Sequence, residues 1–458
     1  MTPRRVLFTL WPFTGHLLPQ IGIAHALRER GHEVAFYSGD AVRTTVQDQG
    51  FEFLGFDRVD QERAFRNMRA IETTGKGGRR RRGGLLPIFR DWLVETIPDQ
   101  LADLGGVLRR FGPDVIATDL SLWGPIVVLH ESQPVPVALS STFMGPLIPG
   151  PEAPPLGFGL RPPRTRPGRA AARALTRLTE AAGTGLRRRV DAIRAEHGLP
   201  PLGESVNRYT ARLPLYLVGN IRQLDYSRRD LPLTVHYVGN CICYPPAKPG
   251  TAEWLRRIPG DRPWVHVTES TLAFGDPFLL RAAAHGLARE PVEVIITTGS
   301  QRGPDILGPG PLPGNVHVTD WLSHGDLLPR CSAVVTVGGK ATVLAAMEAG
   351  VPLVVVPTTW DKPDNARRVT EAGAGVRLSP RRCTPDRLRG AVRAVLDEGR
   401  YRTAAQEMAA RLQAAPGPAG AAELLEAVSS PDGRGPGVSA EVRAGGAVRQ
   451  VASRGDGA

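Results

Sequence analysis

Residues 320–376 read DWLSHGDLLPRCSAVVTVGGKATVLAAMEAGVPLVVVPTTWDKPDNARRVTEAGAGV. The apolar run 332–336 has strand character, and the pair Gly338-Gly339 breaks it. Residues 341–349 have helix composition, and 352–356 is a short apolar run that predicts a buried strand. A strand feeding a glycine turn and a helix N-terminus makes an anion site. Free backbone N–H groups and the positive end of the helix dipole meet at one spot.

Several further pieces of this stretch occur in a fixed order. A tryptophan opens it, LLPRC follows, GG precedes the helix, EAGVP forms a turn, and WDKPDNARRV leads into GAG. Together they resemble the nucleotide-sugar-binding signature of the family 1 glycosyltransferases, the bacterial natural-product and UDP-glycosyltransferase group with the GT-B fold. The resemblance implies an α/β protein with two Rossmann-like, doubly wound parallel-sheet domains facing across a cleft.

The rest of the chain agrees with that expectation. The 458 residues suit two domains of ordinary size, and a hydrophobic fraction of 41% is that of a globular protein. No run of about 18 apolar residues is present, so no transmembrane segment is expected. The apolar run after Arg5 is too short for a signal peptide. Four cysteines in a chain this long argue against a disulfide framework and make the cytoplasm the expected compartment. The Cys241-Ile242-Cys243 pair lacks the second Cys or His pair that a zinc site needs.

The formal charge of +12 is mostly arginine, since only Lys76, Lys248, Lys340 and Lys362 among 57 basic residues are lysine. With abundant Ala, Gly and Pro, this is the composition of a GC-rich coding sequence. The densest cluster, KGGRRRR at 76–82 and including Arg79 and Arg82, lies between glycines and reads as a solvated loop. An acidic acceptor, an acidic partner and a membrane surface are the other readings. Aromatic interleaving and nucleic-acid motifs are lacking, so DNA and RNA are set aside.

The first half alternates strand signals (6–11, 33–37, 51–56, 114–118, 134–139) with helical ones (18–27, 91–108), a pattern of parallel βα units. A Pro- and Arg-rich loop at 149–169 leads to a basic helix ending near His197. The stretch LVGNIRQLDYSRRDLPLTVHYVGN resembles the end of the family's N-terminal domain. The expected division is an acceptor-binding domain 1–240, a linker 241–262 and a nucleotide-sugar-binding domain 263–400. A C-terminal helix, 401–428, is expected to cross back onto the first domain. Residues 429–458, rich in Gly, Arg and Ser, bury too little apolar surface to offset their ordering entropy and are expected to be disordered.

Ligands of open α/β sheets sit beyond the carboxyl ends of the strands. His16, in WPFTGH, follows the first strand, and Asp119, in PDVIATD, follows a later one. Alone, the histidine reads as well as a satisfied structural group, and the aspartate as a helix cap. The resemblance assigns His16 as the base that takes the proton from an acceptor hydroxyl, with Asp119 orienting its ring. An imidazole titrating near neutrality suits the task.

On the donor side, Trp321 matches the ring that stacks on the nucleobase, with Leu322 and its neighbours contacting the base edge. Ser270-Thr271 resembles a phosphate-facing step, and Asp361 matches the acid that holds sugar hydroxyls. Asn365 would cap or orient the following helix. The leaving diphosphate would be received at Gly338, Gly339, Lys340 and Thr342.

Four positions depart from the family pattern: Val337 replaces a phosphate-binding histidine, Ala341 a glycine, Ala345 a ribose-binding acid, and Lys362 a glutamine. Two of only four lysines, Lys340 and Lys362, fall in this segment, and either would neutralise the diphosphate as a point charge. The alternative is a pair of solvent-facing helix lysines. No paired-aspartate motif offers a metal site, so neither metal nor cofactor is expected.

The activity implied is an inverting, metal-independent transfer of a hexose from a UDP- or dTDP-sugar to a small lipophilic natural product. The expected partners are those two substrates, with a homodimer or a partner glycosyltransferase also open. Two alternatives stand beside it: a catalytically silent homologue that activates such a partner, favoured by Val337 and Ala345, and a GT-B epimerase, whose carboxylates cannot be located.

Overall fold

The computed structural model describes residues 2–73, 85–269, 276–299, 302–308 and 310–429. The basic cluster 76–82, Ser270-Thr271 and the tail from 430 lie outside the described residues. Within them, thirteen strands form two all-parallel sheets.

The N-terminal sheet holds β1 (Arg5–Thr9), β2 (Glu33–Ser38), β3 (Glu52–Gly55), β4 (Val115–Thr118), β5 (Val137–Ser141), β6 (Tyr216–Val218) and β7 (Val235–Tyr237). Its order is β3-β2-β1-β4-β5-β6-β7. The C-terminal sheet holds β8 (Trp264–Thr268), β9 (Glu293–Thr297), β10 (Val316–Thr319), β11 (Cys331–Thr336), β12 (Leu353–Val355) and β13 (Gly375–Arg377), in the order β10-β9-β8-β11-β12-β13. Near-continuous apolar strands such as β4 and β12 are buried along their whole length, as a sheet covered on both faces requires. In each sheet the chain reverses direction of growth once, between β1 and β4 and between β8 and β11. Those two reversals are where open α/β sheets leave a crevice for ligands.

Two expectations about elements change. The basic helix is two helices, Arg166–Ala182 and Thr184–Glu196, separated at Gly183. The C-terminal helix is also two, Gly399–Gln413 and Gly417–Val428, with Pro416 ending the continuity. The second of them packs Ala421, Ala422 and Leu425 into the N-terminal core, and Glu426 accepts from Arg30 at 2.6 Å. The segment 241–262 passes from one domain's core to the other's. Cys241 is buried in the N-terminal core, while Leu255 and Ile258, around a short helix Thr251–Arg256, join the C-terminal core.

The domains are joined by buried polar contacts. Arg368 pairs with Asp225 at 2.7 Å, and the Tyr237 hydroxyl donates to the same carboxylate at 2.6 Å. Burial opposes the guanidinium's charge, but Asp225 together with Tyr226 and Asp364 holds the Arg368 pKa above its ordinary value. The Asp364 carboxylate accepts from the backbone of Gly157 and Gly159 in the loop between β5 and the Arg166–Ala182 helix.

Candidate active site

His16 lies in the first turn of the Thr14–Glu29 helix, only a few residues beyond β1, and Asp119 is the first residue after β4. Three ties hold these adjacent strand ends in register. The Asp119 N–H donates to Thr9 O at 2.9 Å, Thr9 Oγ1 donates to Thr118 Oγ1 at 2.9 Å, and the Trp11 indole donates to Ser121 O at 2.8 Å. His16 Nδ1 is hydrogen-bonded to Asp119 Oδ2. Asp119 is fully buried and its remaining capacity is filled by Ser121, whose N–H and Oγ donate at 3.0 Å. The aspartate therefore both closes a local turn and holds the imidazole. Nδ1 is occupied, so Nε2 is the ring nitrogen left for a substrate.

A chain of edge-on rings continues from His16. Phe13 stands 5.2 Å from it, Trp92 6.0 Å from Phe13, and Trp360 5.9 Å from Trp92. Trp360 belongs to the other domain, immediately before Asp361. Among the described residues it alone, glycines aside, has a left-handed backbone, φ 62°. Conformations of that kind collect at functional sites. Nothing in the sequence marked Trp360 for it.

Across the cleft, β11 runs into Gly338-Gly339 and the Lys340–Glu348 helix. Gly338 has φ +91°, and a Cβ there would lie 2.8 Å from Val355 Cγ1, so only glycine fits. A Cβ on Gly339 would meet nothing within 4 Å: the turn faces open space. The Gly338 N–H is satisfied by Thr336 Oγ1 at 3.2 Å. The first-turn amides of Lys340, Ala341 and Thr342 have no intrahelical acceptor and point out of the helix end. Asn365 braces the turn, its Nδ2 donating to Gly338 O at 3.0 Å and to Asp361 Oδ2 at 2.8 Å. It orients the neighbouring acid and turn rather than capping its own helix.

Neither lysine faces solvent. Lys340 is 8% exposed and Lys362 7%. Lys362 opens the Lys362–Glu371 helix beside Gly338. Lys340 crosses to the N-terminal domain, where Nζ donates to the Ser141 carbonyl at 3.2 Å. A Cβ on Gly219 would stand 3.2 Å from the same nitrogen, so a glycine leaves it room. Burial pulls the Lys340 pKa from 10.5 to about 8, against the opposing influence of Cys241, Asp361 and Asp119.

Trp321 is half-buried and carries the Lys248 ammonium 5.8 Å from its ring centroid, while Lys248 pairs with Asp320 at 2.6 Å. Leu322 packs into the core. His324 follows in the same turn, and burial holds its pKa down to about 4, which keeps the ring neutral. Thr342 is half-buried on the first helical turn, and Asp361 is half-buried at the foot of the next helix. Thr271 lies outside the described residues.

A cavity of about 520 Å³ opens among the N-terminal loops. Trp123, Leu147, Leu156, Thr176, Tyr226 and Asp364 are among its walls. His16 does not line it, but Trp123 stands four residues beyond Asp119, and Asp364 three beyond Asp361.

Two Rossmann-like parallel-sheet domains, with a glycine turn before a helix N-terminus in one and a His–Asp pair in the other, make up a GT-B fold. Residues 284–428 match the family model described as Erythromycin biosynthesis protein CIII-like, C-terminal domain. The chain is 36% identical over 430 residues to 4'-demethylrebeccamycin synthase of Lentzea aerocolonigenes, covering 92% of this chain and 99% of that protein. Among solved structures, the glycotransferase of kitacinnamycin superposes with TM-score 0.70 at 22% identity, covering 93% of this chain and 98% of the other. The spinosyn rhamnosyltransferase SpnG complexed with thymidine diphosphate gives 0.66 at 21% identity, covering 92% and 100%. The chain belongs to the natural-product glycosyltransferases and is an enzyme of that kind. The silent-homologue alternative finds no support.

Proposed function

We propose that the enzyme transfers a hexose from a dTDP- or UDP-sugar to a small lipophilic natural product by a single inverting displacement without a metal ion. His16 Nε2 takes the proton as the acceptor oxygen attacks the anomeric carbon, and Asp119 stabilises the imidazolium that results. The anomeric C–O bond breaks and its electron pair leaves with the diphosphate. The first-turn amides of the Lys340–Glu348 helix and the ammonium of Lys340 receive that charge, the work a cation does elsewhere. Asp361 holds sugar hydroxyls, Trp321 stacks on the base, and Lys362 adds positive charge beside Gly338.

One observation carries the reading: Lys340, first residue of the anion-receiving helix, is bonded to the end of β5. β5 is hydrogen-bonded to β4, whose end carries Asp119. The leaving-group site and the base thus belong to one cleft. Thymidine diphosphate in the spinosyn enzyme supports a dTDP-linked donor, and the rebeccamycin relative supports a natural-product acceptor.

His16→Ala tests the mechanism. Transfer should fall by about 10²–10⁴-fold with donor affinity nearly unchanged. Full turnover in that variant would overturn the assignment of the base.

A further inference from the structure

Residues 142–165, between β5 and the Arg166–Ala182 helix, contain no helix or strand. Their first part is tied to the N-terminal domain. Asn220 Nδ2 donates to Met144 O at 2.7 Å, Arg228 Nη1 donates to Ile148 O at 2.7 Å, and the Tyr216 hydroxyl accepts from the Leu147 N–H at 3.0 Å. Their last part is tied to the C-terminal domain instead. Asp364 Oδ2 accepts from the Gly157 N–H at 2.5 Å, and Oδ1 accepts from the Gly159 N–H at 3.2 Å. The Gly159 carbonyl accepts from Arg377 Nη1 at 2.9 Å and from Arg367 Nε at 3.3 Å.

Between the two anchorages lie Ala153, Pro154, Pro155 and Leu156, and all four wall the 520 Å³ cavity. A Pro-Pro step has fixed φ angles and little freedom to absorb movement at either end. Asp364 itself also walls the cavity. The second anchorage is closely fitted. Gly157 and Gly159 have φ +91° and +57°, and a Cβ on Gly159 would lie 2.6 Å from Pro363 O. Asp364 is 1% exposed, and burial raises its carboxyl pKa against the Gly157 and Gly159 amides and Arg368. Without the strap, a buried carboxylate would be short of donors. Asp364 lies in the first turn of the Lys362–Glu371 helix, and the Lys362 carbonyl that opens this helix stands 3.3 Å from a Cβ built on Gly338.

We propose that Asp364 is a positioning residue which, through the strap it holds, sets the wall of the acceptor cavity by the placement of the helix that opens beside the diphosphate turn. Nucleotide bound at the turn then firms the cavity that receives the acceptor. The link to nucleotide rests on the proposed function; the strap does not.

Hydrogen exchange of the full chain is followed by mass spectrometry over 156–160 and 336–345, with and without saturating thymidine diphosphate or uridine diphosphate. Nucleotide should slow exchange at 336–345 and, in the parent, also at 156–160 by about tenfold, within the usual range of coupling between sites. In Asp364→Ala, 156–160 should exchange about tenfold faster without nucleotide, as a locally released segment does. It should no longer respond to nucleotide, while 336–345 still responds. Gly159→Ala pushes the strap off Pro363 from the loop side and should give the same pattern with Asp364 in place. The double variant should be no worse than either single one, because both changes act on one contact.

A parent in which nucleotide slows 336–345 and leaves 156–160 unchanged overturns the proposal. Parent-like exchange at 156–160 in both variants overturns it too. A response lost at both stretches in Asp364→Ala would make the residue a structural support of the donor site and overturn its role in the coupling. Slowing at neither stretch by either nucleotide would take the diphosphate away from the glycine turn, and the functional reading and the coupling would fall together.

Discussion

Replacing Lys340 by methionine should make the donor-free enzyme more stable and worse at binding its donor. The buried ammonium is the reason. Burial lowers the Lys340 pKa from 10.5 to about 8. At about 1.4 kcal/mol per tenfold, keeping that group protonated in the fold costs about 3 kcal/mol. Losing its hydrogen bond to the Ser141 carbonyl gives back about 1 kcal/mol. A net gain of about 2 kcal/mol remains, since methionine fills much of the same space. If the C-terminal domain unfolds as a unit, the transition should rise by about 4–8 °C at about pH 7.

The pH dependence has a fixed sign. Below about pH 8 the lysine is charged in both states and the full penalty applies. Between about 8 and 10.5 the folded lysine has lost its proton while the unfolded one keeps it, so the parent gains stability as pH rises. The gap between parent and Lys340→Met should therefore narrow towards about pH 9.5. Titration calorimetry with the nucleotide sugar should show binding weakened by about 1.5–3 kcal/mol, the range for hydrogen bonds to charged groups. A variant less stable than the parent at neutral pH, or a gap that does not narrow, would refute the argument about the buried charge. Unchanged donor affinity would remove Lys340 from the donor site.

Gly338→Ala should destabilise the C-terminal domain by about 2–4 kcal/mol, because the new methyl meets Val355 and the backbone is left-handed; an unshifted unfolding curve would contradict this. Saturating EDTA should leave the transfer rate unchanged, and a loss restored by magnesium or manganese would count against helix amides and lysine as the charge-bearing groups.

The strands around both crevices were legible because parallel strands buried on two faces show as unbroken apolar runs. β6 and β7 are three residues each, too short to show a period, and only the family resemblance pointed to that region. The break at Gly183 was hidden because a helical pattern of Arg and Ala runs through it. The places of His16 and Asp119 after strands leave a structural reading open and the family resemblance pairs them; the structure brings the two side chains into a hydrogen bond across 103 residues of chain. Their supports, Ser121 and Trp11, left no such mark, since a backbone carbonyl accepting from an indole has no sequence pattern. Lys248 left a faint one. The scarcity of lysine applies to it as much as to Lys340 and Lys362, but it lies in the stretch 241–262 between the domains, away from the glycine-turn segment.

The departures from the family pattern acquire a physical sense from burial. Val337, where a phosphate-binding histidine is usual, belongs to the C-terminal hydrophobic core, and so does Ala345. Neither position is a vacated contact awaiting a water: each has been absorbed into packing. Positive charge reappears three residues after Val337, on a side chain that leaves its own domain and is held by a carbonyl 199 residues away. A histidine on the glycine turn would offer its charge whatever the two domains were doing. Lys340 sits where it does only while the end of β5 is beside it. On the proposed mechanism, the group that meets the diphosphate is thus positioned by the domain that carries the base, and donor affinity becomes sensitive to how the two domains are set against each other.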